Sequence, residues 1–334
     1  MQNKSSLRST LLVSICLIIG LTGLAFMPTP SSAGLILKVG TGPVGGNWFP
    51  LGAVLSTIVN EKVEGVRAAP TLGGGTTNMK ALNAGTQDFS LTIGITNANA
   101  WEGKAPFKKN YRNIRSAFNT YINIFHVYTR VETGIKRFED LKGKRVSPGK
   151  KGFTGEVLTR LVLKEYGMSY EDFADVILVG YSEGGNLMRD KHLDAYSLIT
   201  MPPSAAFVEL DTFAPVYIFS ASPEVIDRMI KKYSGLTRIQ LPGGIYRGRP
   251  KPLDTIGTPC VFATRKDLPA DVIYGVTKAF WENYKRSWKV NPYFKDYIRP
   301  ENALSGLAIP LHPGAYRYYR EAGYNIPKRL MPID

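Results

Sequence analysis

Cysteine and histidine are scarce: the 334-residue chain carries two cysteines and three histidines. Only Cys260 lies beyond residues 1–33, which read as a leader, so the processed chain could form no internal disulfide. That cysteine sits in the apolar run 259–264 and reads as a buried packing residue. His126, His192 and His312 are far apart, and none stands at metal-ligand spacing or beside a nucleophile in a known motif. Each reads as a structural histidine. Glu139 and Asp140 are adjacent, so on a helical turn they would point in different directions and form a solvated face rather than an acid/base pair. Acidic residues are also in deficit, 27 against 42 lysines and arginines, for a net charge of +15. The basic residues are dispersed rather than gathered in an arm. This suits a small anionic molecule and argues against a nucleic-acid partner. Beyond the leader no run is long and apolar enough to span a membrane.

Residues 1–33 have the three parts of a secretory signal peptide. Lys4 and Arg8 make a basic start, residues 11–26 are apolar, and Ser31, Ser32 and Ala33 offer a small-residue cleavage site. Cys16 lies within the apolar run behind a bulky Ile15, which disfavours lipid attachment. A periplasmic location is therefore expected. The remaining length of about 300 residues suffices for two lobes with separate cores.

The rest of the chain is organised around the stretch 36–60. Residues 36–39 read as a strand, a glycine-dense turn contains Gly40, Gly42, Gly45 and Gly46, and a helix is expected from about Trp48 to Asn60. Asn47 stands where an N-cap belongs, and Pro50 falls in the first turn. Such a turn points free N–H groups and a positive helix end at its contents, and anions bind there. Two more units repeat the plan. One is a strand over 67–71, then Gly73, Gly74, Gly75 and a helix that Thr76 could cap. The other is a strand over 88–95 ending at Thr96 and Asn97, also a candidate cap. In open α/β sheets ligands sit outside the carboxyl ends of the strands, so the three turns would meet in one cleft.

The β-rich run 117–130 is longer than an ordinary strand and reads as a crossing between lobes, with 259–264 as the return. Between them lie a helical turn at 135–141, a strand at 143–147, a turn over 148–152 and a helix over 154–166. Strands at 176–179, 194–200 and 216–219 then alternate with helices at 183–191, after Ser204, and at 223–233. Helices over 269–288 and 313–322 complete the first lobe. The fold expected is α/β, two lobes joined by a hinge of crossing strands. Lobe 1 would comprise 34–122 and 262–334, and lobe 2 would comprise 123–261. Such a molecule closes on its ligand like a clamp.

Candidate ligand-binding residues are Thr41, Gly42, Asn47, Trp48, Gly75, Thr76, Thr96 and Asn97 in the first lobe. Ser147, Lys150, Thr154 and Ser204 face them from the second. Thr, Ser and Asn side chains with backbone N–H groups can hold a carboxylate, Lys150 could add counter-charge, and Trp48 could pack on an aliphatic part. Residues 40–45 also match G-x-G-x-x-G. However, Pro43 removes an N–H, and Glu61 and Glu64 lie in helix-end and loop context rather than at a strand end. A nucleotide-using exported enzyme is the weaker alternative. No metal or cofactor is expected.

The segments GTGPVGGNWFPLG, GGGTTNMKALNAGTQDFSLTI, FEDLKGKRVSPGKKGFTGEVLTRLVL and ENALSGLAIPLHPGAYRYY resemble, in this order, the TAXI solute receptors of tripartite ATP-independent periplasmic (TRAP) transporters. The resemblance runs through essentially the whole chain after the leader. It implies a type II periplasmic binding-protein fold, TRAP-type membrane permease subunits as partners, and a small carboxylate such as glutamate or a dicarboxylate. A receptor of an ATP-driven importer is the alternative of the same fold. Two departures stand out: Trp48-Phe49 where the family often has Tyr-Tyr, and Ile95-Thr96-Asn97 where it often has Gln-Ser-Asp.

Overall fold

The computed structural model describes residues 34–247 and 249–333; the expected signal peptide lies outside them. The first half of the molecule is built from three strand–turn–helix units. They are β1 (Leu35–Gly40) with α1 (Trp48–Lys62), β2 (Val66–Thr71) with α2 (Gly75–Ala84), and β3 (Phe89–Ile93) with α3 (Gly94–Glu102). The second half repeats the device in β5 (Arg145–Ser147) with α4 (Thr154–Glu165), then β6 (Asp175–Val176) with α5 (Tyr181–Arg189). It continues through β7 (Ala195–Thr200) with α6 (Ala205–Phe213), and β8 (Val216–Phe219) with α7 (Pro223–Lys232). The chain then returns through β9 (Thr237–Leu241) and β10 (Leu253–Arg265). It finishes with α8 (Ala270–Asn283), the short α9 (Phe294–Tyr297) and α10 (Pro313–Glu321).

With β4 (Ile114–Arg130), the strands form one ten-stranded sheet in the order β2-β1-β3-β10-β4-β7-β5-β6, with β8 on β4 and β9 on β10. Two long strands make it continuous: β4 and β10 run antiparallel through its middle. The near end of β10 pairs with β3 and its far end with β9. The far part of β4 pairs with β7 and β8. Each long strand therefore belongs to both halves. The pairing slips between Pro259 and Val261 and again between Phe262 and Ala263; such irregularities bend and twist a ladder locally. The expected α/β architecture of two lobes joined by crossing strands is what the chain adopts.

Packing follows this division. One core gathers Leu55, Phe118, Phe262, Phe280 and Tyr319 between the first half of the sheet and the C-terminal helices. Others gather Phe125, Phe138, Leu158 and Ile226, and Tyr128, Phe207 and Leu241, around the second half. Trp48 packs against both the first and the second of these cores. Among the described residues no helix is long and apolar enough to cross a membrane.

Several boundaries differ from expectation for local reasons. β3 ends at Ile93, so Thr96 and Asn97 lie inside α3 rather than at its cap. The helix starts where Gly94 permits close approach to Pro259 of the neighbouring strand. α2 is capped by Gly74, not Thr76. The helix expected over 183–191 begins at Tyr181, immediately after Gly180. The helix expected to reach 288 tightens into a 3₁₀ turn at Tyr284–Lys289. β9 has no counterpart in the sequence reading, because TRIQL is short, polar and largely exposed and carries no strand alternation toward a core.

Candidate functional site

The turns between strands and helices meet where the two halves of the sheet face each other. A cavity of about 30 Å³ lies there. Pro43, Gly46, Asn47 and Trp48 come to it from the β1–α1 turn, and Gly74 and Gly75 from the β2–α2 turn. Ile93 ends β3, Phe153, Thr154 and Gly155 open α4, Tyr181 opens α5, and Ile199 and Thr200 end β7. Five helices thus begin at one wall or another of the same small space: α1, α2, α3, α4 and α5. In none of the five does the N-cap side chain bond its helix, although in α3 the Ile95 N–H donates to Thr258 Oγ1 at 3.4 Å. Uncapped N-terminal N–H groups are unsatisfied donors, and the aligned peptide dipoles add roughly half a positive charge at each start. Among the described residues no Asp, Glu, Lys or Arg lines the cavity. Glu156 and Glu183 stand in the first turns of α4 and α5 but outside the lining.

The two halves touch directly across this space. Thr96 Oγ1 and Thr154 Oγ1 share a hydrogen bond at 2.9 Å. Asn47 Nδ2 donates to the Met201 carbonyl at 2.7 Å. Gly45 has φ +86°, and a Cβ there would fall 2.4 Å from Ser182 Oγ. Tyr181 packs beneath Gly46 and donates its hydroxyl to the Ile199 carbonyl at 3.0 Å. Burial raises the Tyr181 pKa, so the hydroxyl stays protonated. A space of this size admits one or two waters. An organic solute requires the halves to separate.

Outside the cavity, and sharing Pro43 and Phe153 with it, runs an open groove of about 530 Å³ that includes Val44, Leu72, Lys150, Lys151, Leu178 and Glu183. Lys150 stands here with its ammonium 6.0 Å from the Phe153 ring, at the mouth rather than inside.

Of the residues singled out from sequence, Asn47, Trp48, Gly75 and Thr154 line the cavity, and Thr96 reaches it through Thr154. Gly42 lies against Trp48, where a Cβ would meet the indole. Thr41 is fully buried and turned away, its hydroxyl donating to the Thr71 carbonyl at 2.7 Å. Ser147 Oγ accepts from the Gly149 N–H. Thr76, Asn97 and Ser204 are buried with side-chain polar atoms that have no partner, and none lines the cavity. The capping role expected of Asn47 is not realised, nor does Ser204 cap the helix that follows it. Both stand at N-cap positions, but neither side chain bonds its helix; Asn47 reaches across to Met201 instead.

Pro43, Ile93, Phe153, Tyr181 and Thr200 also line the cavity, and sequence reasoning misses them. Pro43 and Phe153 sit within or beside glycine-rich turns, which are the signal that could have found them. Tyr181 carries its signal in the preceding Gly180, which frees the chain to enter a helix there.

Among solved structures, the chain is similar to a protein from Bordetella bronchiseptica RB50 at 14% identity. The match covers 90% of this chain and 86% of that one with a TM-score of 0.52, a likeness of fold. Similarity also extends to the alkanesulfonate-binding protein SsuA from Xanthomonas axonopodis pv. citri bound to MOPS, at 13% identity, 89% and 96% coverage and a TM-score of 0.48. PhnD1 from Prochlorococcus marinus (MIT 9301) in complex with methylphosphonate is similar at 11% identity, 86% and 98% coverage and a TM-score of 0.49. At the level of sequence families, residues 39–323 match a single description, and the chain belongs to the NMT1-like family.

Proposed function

We propose that this chain is an extracytoplasmic receptor that captures a small anionic organic solute by closure and delivers it to a membrane transporter. The observation that carries this reading is the convergence of five helix starts, none bonded by its N-cap side chain, on one cavity without a charged side chain among the described residues. Backbone N–H groups bind carboxylate, sulfonate or phosphonate oxygens and are held ready by the helices they begin. The described lining offers the hydroxyls of Thr154, Thr200 and Tyr181 without a His, Asp, Glu, Lys or Cys beside them, which supports binding over transformation. The two parts, 34–122 with 262–334 and 123–261, would move as bodies about β4 and β10. Closure would bring Thr96 against Thr154 and Asn47 against Met201.

The resemblance of the glycine turns and the HPGA tail supports the finer reading, a TAXI-type receptor serving TRAP permease subunits. Neither part of the proposal requires a cofactor.

The experiment is a thermal-shift and calorimetric screen of the purified protein against mono- and dicarboxylates, sulfonates and phosphonates, with sugars, polyamines and nucleotides as controls. A ligand at about 100 times its dissociation constant adds roughly 2.7 kcal/mol to the folded state, which a melting curve resolves. Stabilisation by anions alone is the expected result. Stabilisation confined to sugars, polyamines or nucleotides would remove the reading. Uptake of the solute in vesicles with TRAP subunits, against an ATP-driven importer, separates the two transporter classes.

A further inference from the structure

Beside Trp48 the molecule buries a second set of polar groups just behind the cavity wall. Tyr121 and Asn123 lie on β4 and are buried, at 1% and 0% exposure, yet the Tyr121 hydroxyl and both amide atoms of Asn123 have no hydrogen-bond partner. The Cys260 thiol has Thr120, Tyr121, Asn123 and Trp48 as its polar neighbours. Asn123 pairs with Thr258 across the ladder and Cys260 pairs with Ile93, which itself lines the cavity. The set therefore abuts the anion pocket through Trp48 and Ile93. A buried donor or acceptor left unpaired costs about 1–3 kcal/mol, and such groups persist where something else satisfies them. All of these groups are neutral. Among the described residues no carboxylate lines the cavity: Glu156 in the first turn of α4 is already paired with Arg160 at 2.7 Å, and Glu183 in the first turn of α5 stands in the outer groove. An ammonium inside would meet positive helix ends with no carboxylate in the lining beside it.

We infer that the solute carries no ammonium group and presents an uncharged hydrogen-bonding group, a hydroxyl or carbonyl, to Asn123 and Tyr121 beneath Trp48. This rests on the receptor reading and narrows its substrate class to hydroxy- or oxo-anions. The amino acid that the family resemblance suggested is set aside.

The test uses ligand sets matched except at one substituent. One set is 2-hydroxyethanesulfonate, 2-aminoethanesulfonate and ethanesulfonate; the other is malate, aspartate and succinate. Calorimetry on the full chain should give the hydroxy member about tenfold tighter binding than the amino member in the set whose head group fits. Asn123→Leu should bring the hydroxy member down to the affinity of the unsubstituted anion and leave the latter unchanged. Because Asn123 makes no side-chain bond of its own, the ligand-free variant should melt at the same temperature or higher. Tyr121→Phe carries the same test if Asn123→Leu does not fold. Amino members binding as tightly as hydroxy members would overturn the inference while leaving the receptor reading intact. So would a variant that melts lower and keeps the hydroxy preference. Failure of every anion in both sets and in the wider screen would remove the receptor reading and this inference together.

Discussion

Gly75 offers a perturbation whose two effects have opposite sign. It is the first residue of α2, and a Cβ built on it would fall 2.1 Å from Thr154 Oγ1 on the facing half of the molecule. Ordinary contact begins near 3.4 Å, so Gly75→Ala is incompatible with closure unless Thr154 or the halves themselves shift by more than an ångström. Thr154 Oγ1 cannot swing freely, because it is hydrogen-bonded to Thr96 Oγ1 at 2.9 Å. Losing that bond costs about 1 kcal/mol and overpacking about 1–3 kcal/mol. The closed state should therefore rise by roughly 2–4 kcal/mol, which weakens any ligand that binds only that state by roughly 30- to 800-fold. The open chain has no such conflict. The backbone at Gly75 is not in the left-handed region, so alanine there limits the unfolded chain and should stabilise the ligand-free protein by about 0.4–1 kcal/mol. Calorimetry with the best solute from the screen, alongside melting curves without it, reads both quantities. Solution scattering should show the variant staying expanded when solute is added. Affinity within threefold of the parent would refute the argument that these two helix starts meet in the binding-competent form.

Asn47→Ala removes the bond to the Met201 carbonyl and should weaken solute binding about fivefold by calorimetry, with little change in the ligand-free melting temperature. His126 and His312 give a pH signature. Burial pushes both imidazoles down to about 4, and His312 Nδ1 also accepts the Gly314 N–H that opens α10. Their folded pKa values lie below the unfolded value near 6.5. The stability they permit is present above pH 6.5 and is lost as pH falls toward 4, by up to about 1.4 kcal/mol per pH unit for each. Urea titrations at pH 7.5, 6.0 and 5.0 should show this loss before the carboxylates titrate. A flat profile over that window would contradict it. Asp194→Ala should cost about 2–3 kcal/mol in chemical denaturation, because Asp194 accepts two bonds from the Arg145 side chain and lies beside the buried Arg130.

The fold is largely legible in the sequence because its signals are periodic. Leu37 and Val39 in β1, the helical spacing of Leu51, Leu55 and Ile58 in α1, and the unusual length of β4 all correspond to burial in the structure. Elements that bury little leave little trace. β9 is polar and exposed, and the strand expected over 176–179 shrinks to the two residues of β6. Helices start one to three residues before a Thr or Asn that suggests a cap, as at Thr76 and Asn97. There the chain uses Gly74 and Ile93 instead, whose extended backbone lets the helix begin without a bond from the N-cap side chain. A capping side chain would have occupied the N–H groups that the cavity leaves open.

That substitution explains why the site itself is harder to read than the fold. When an anion is held by side chains, arginine or lysine marks the place. When it is held by backbone N–H groups, the residues at the helix starts are chosen for what they leave out. Glycine at 74 and 75 keeps the facing half within contact, and Trp48, Phe153 and Tyr181 supply bulk without charge. Their side chains therefore shape the cavity more than they recognise the head group. This also changes the weight of the two departures from the receptors that the chain resembles. Trp48 in place of a tyrosine removes a hydroxyl at the point where the wall covers Asn123 and Tyr121. Asn97 in place of an acidic residue leaves α3, which begins at that wall, without a negative charge in its first turn. Both changes remove groups that could pair with an ammonium and leave the five helix starts untouched. On the proposed reading, anion capture and the choice of which anion fall to different parts of the chain, the first to backbone and the second to the neutral side chains beneath Trp48.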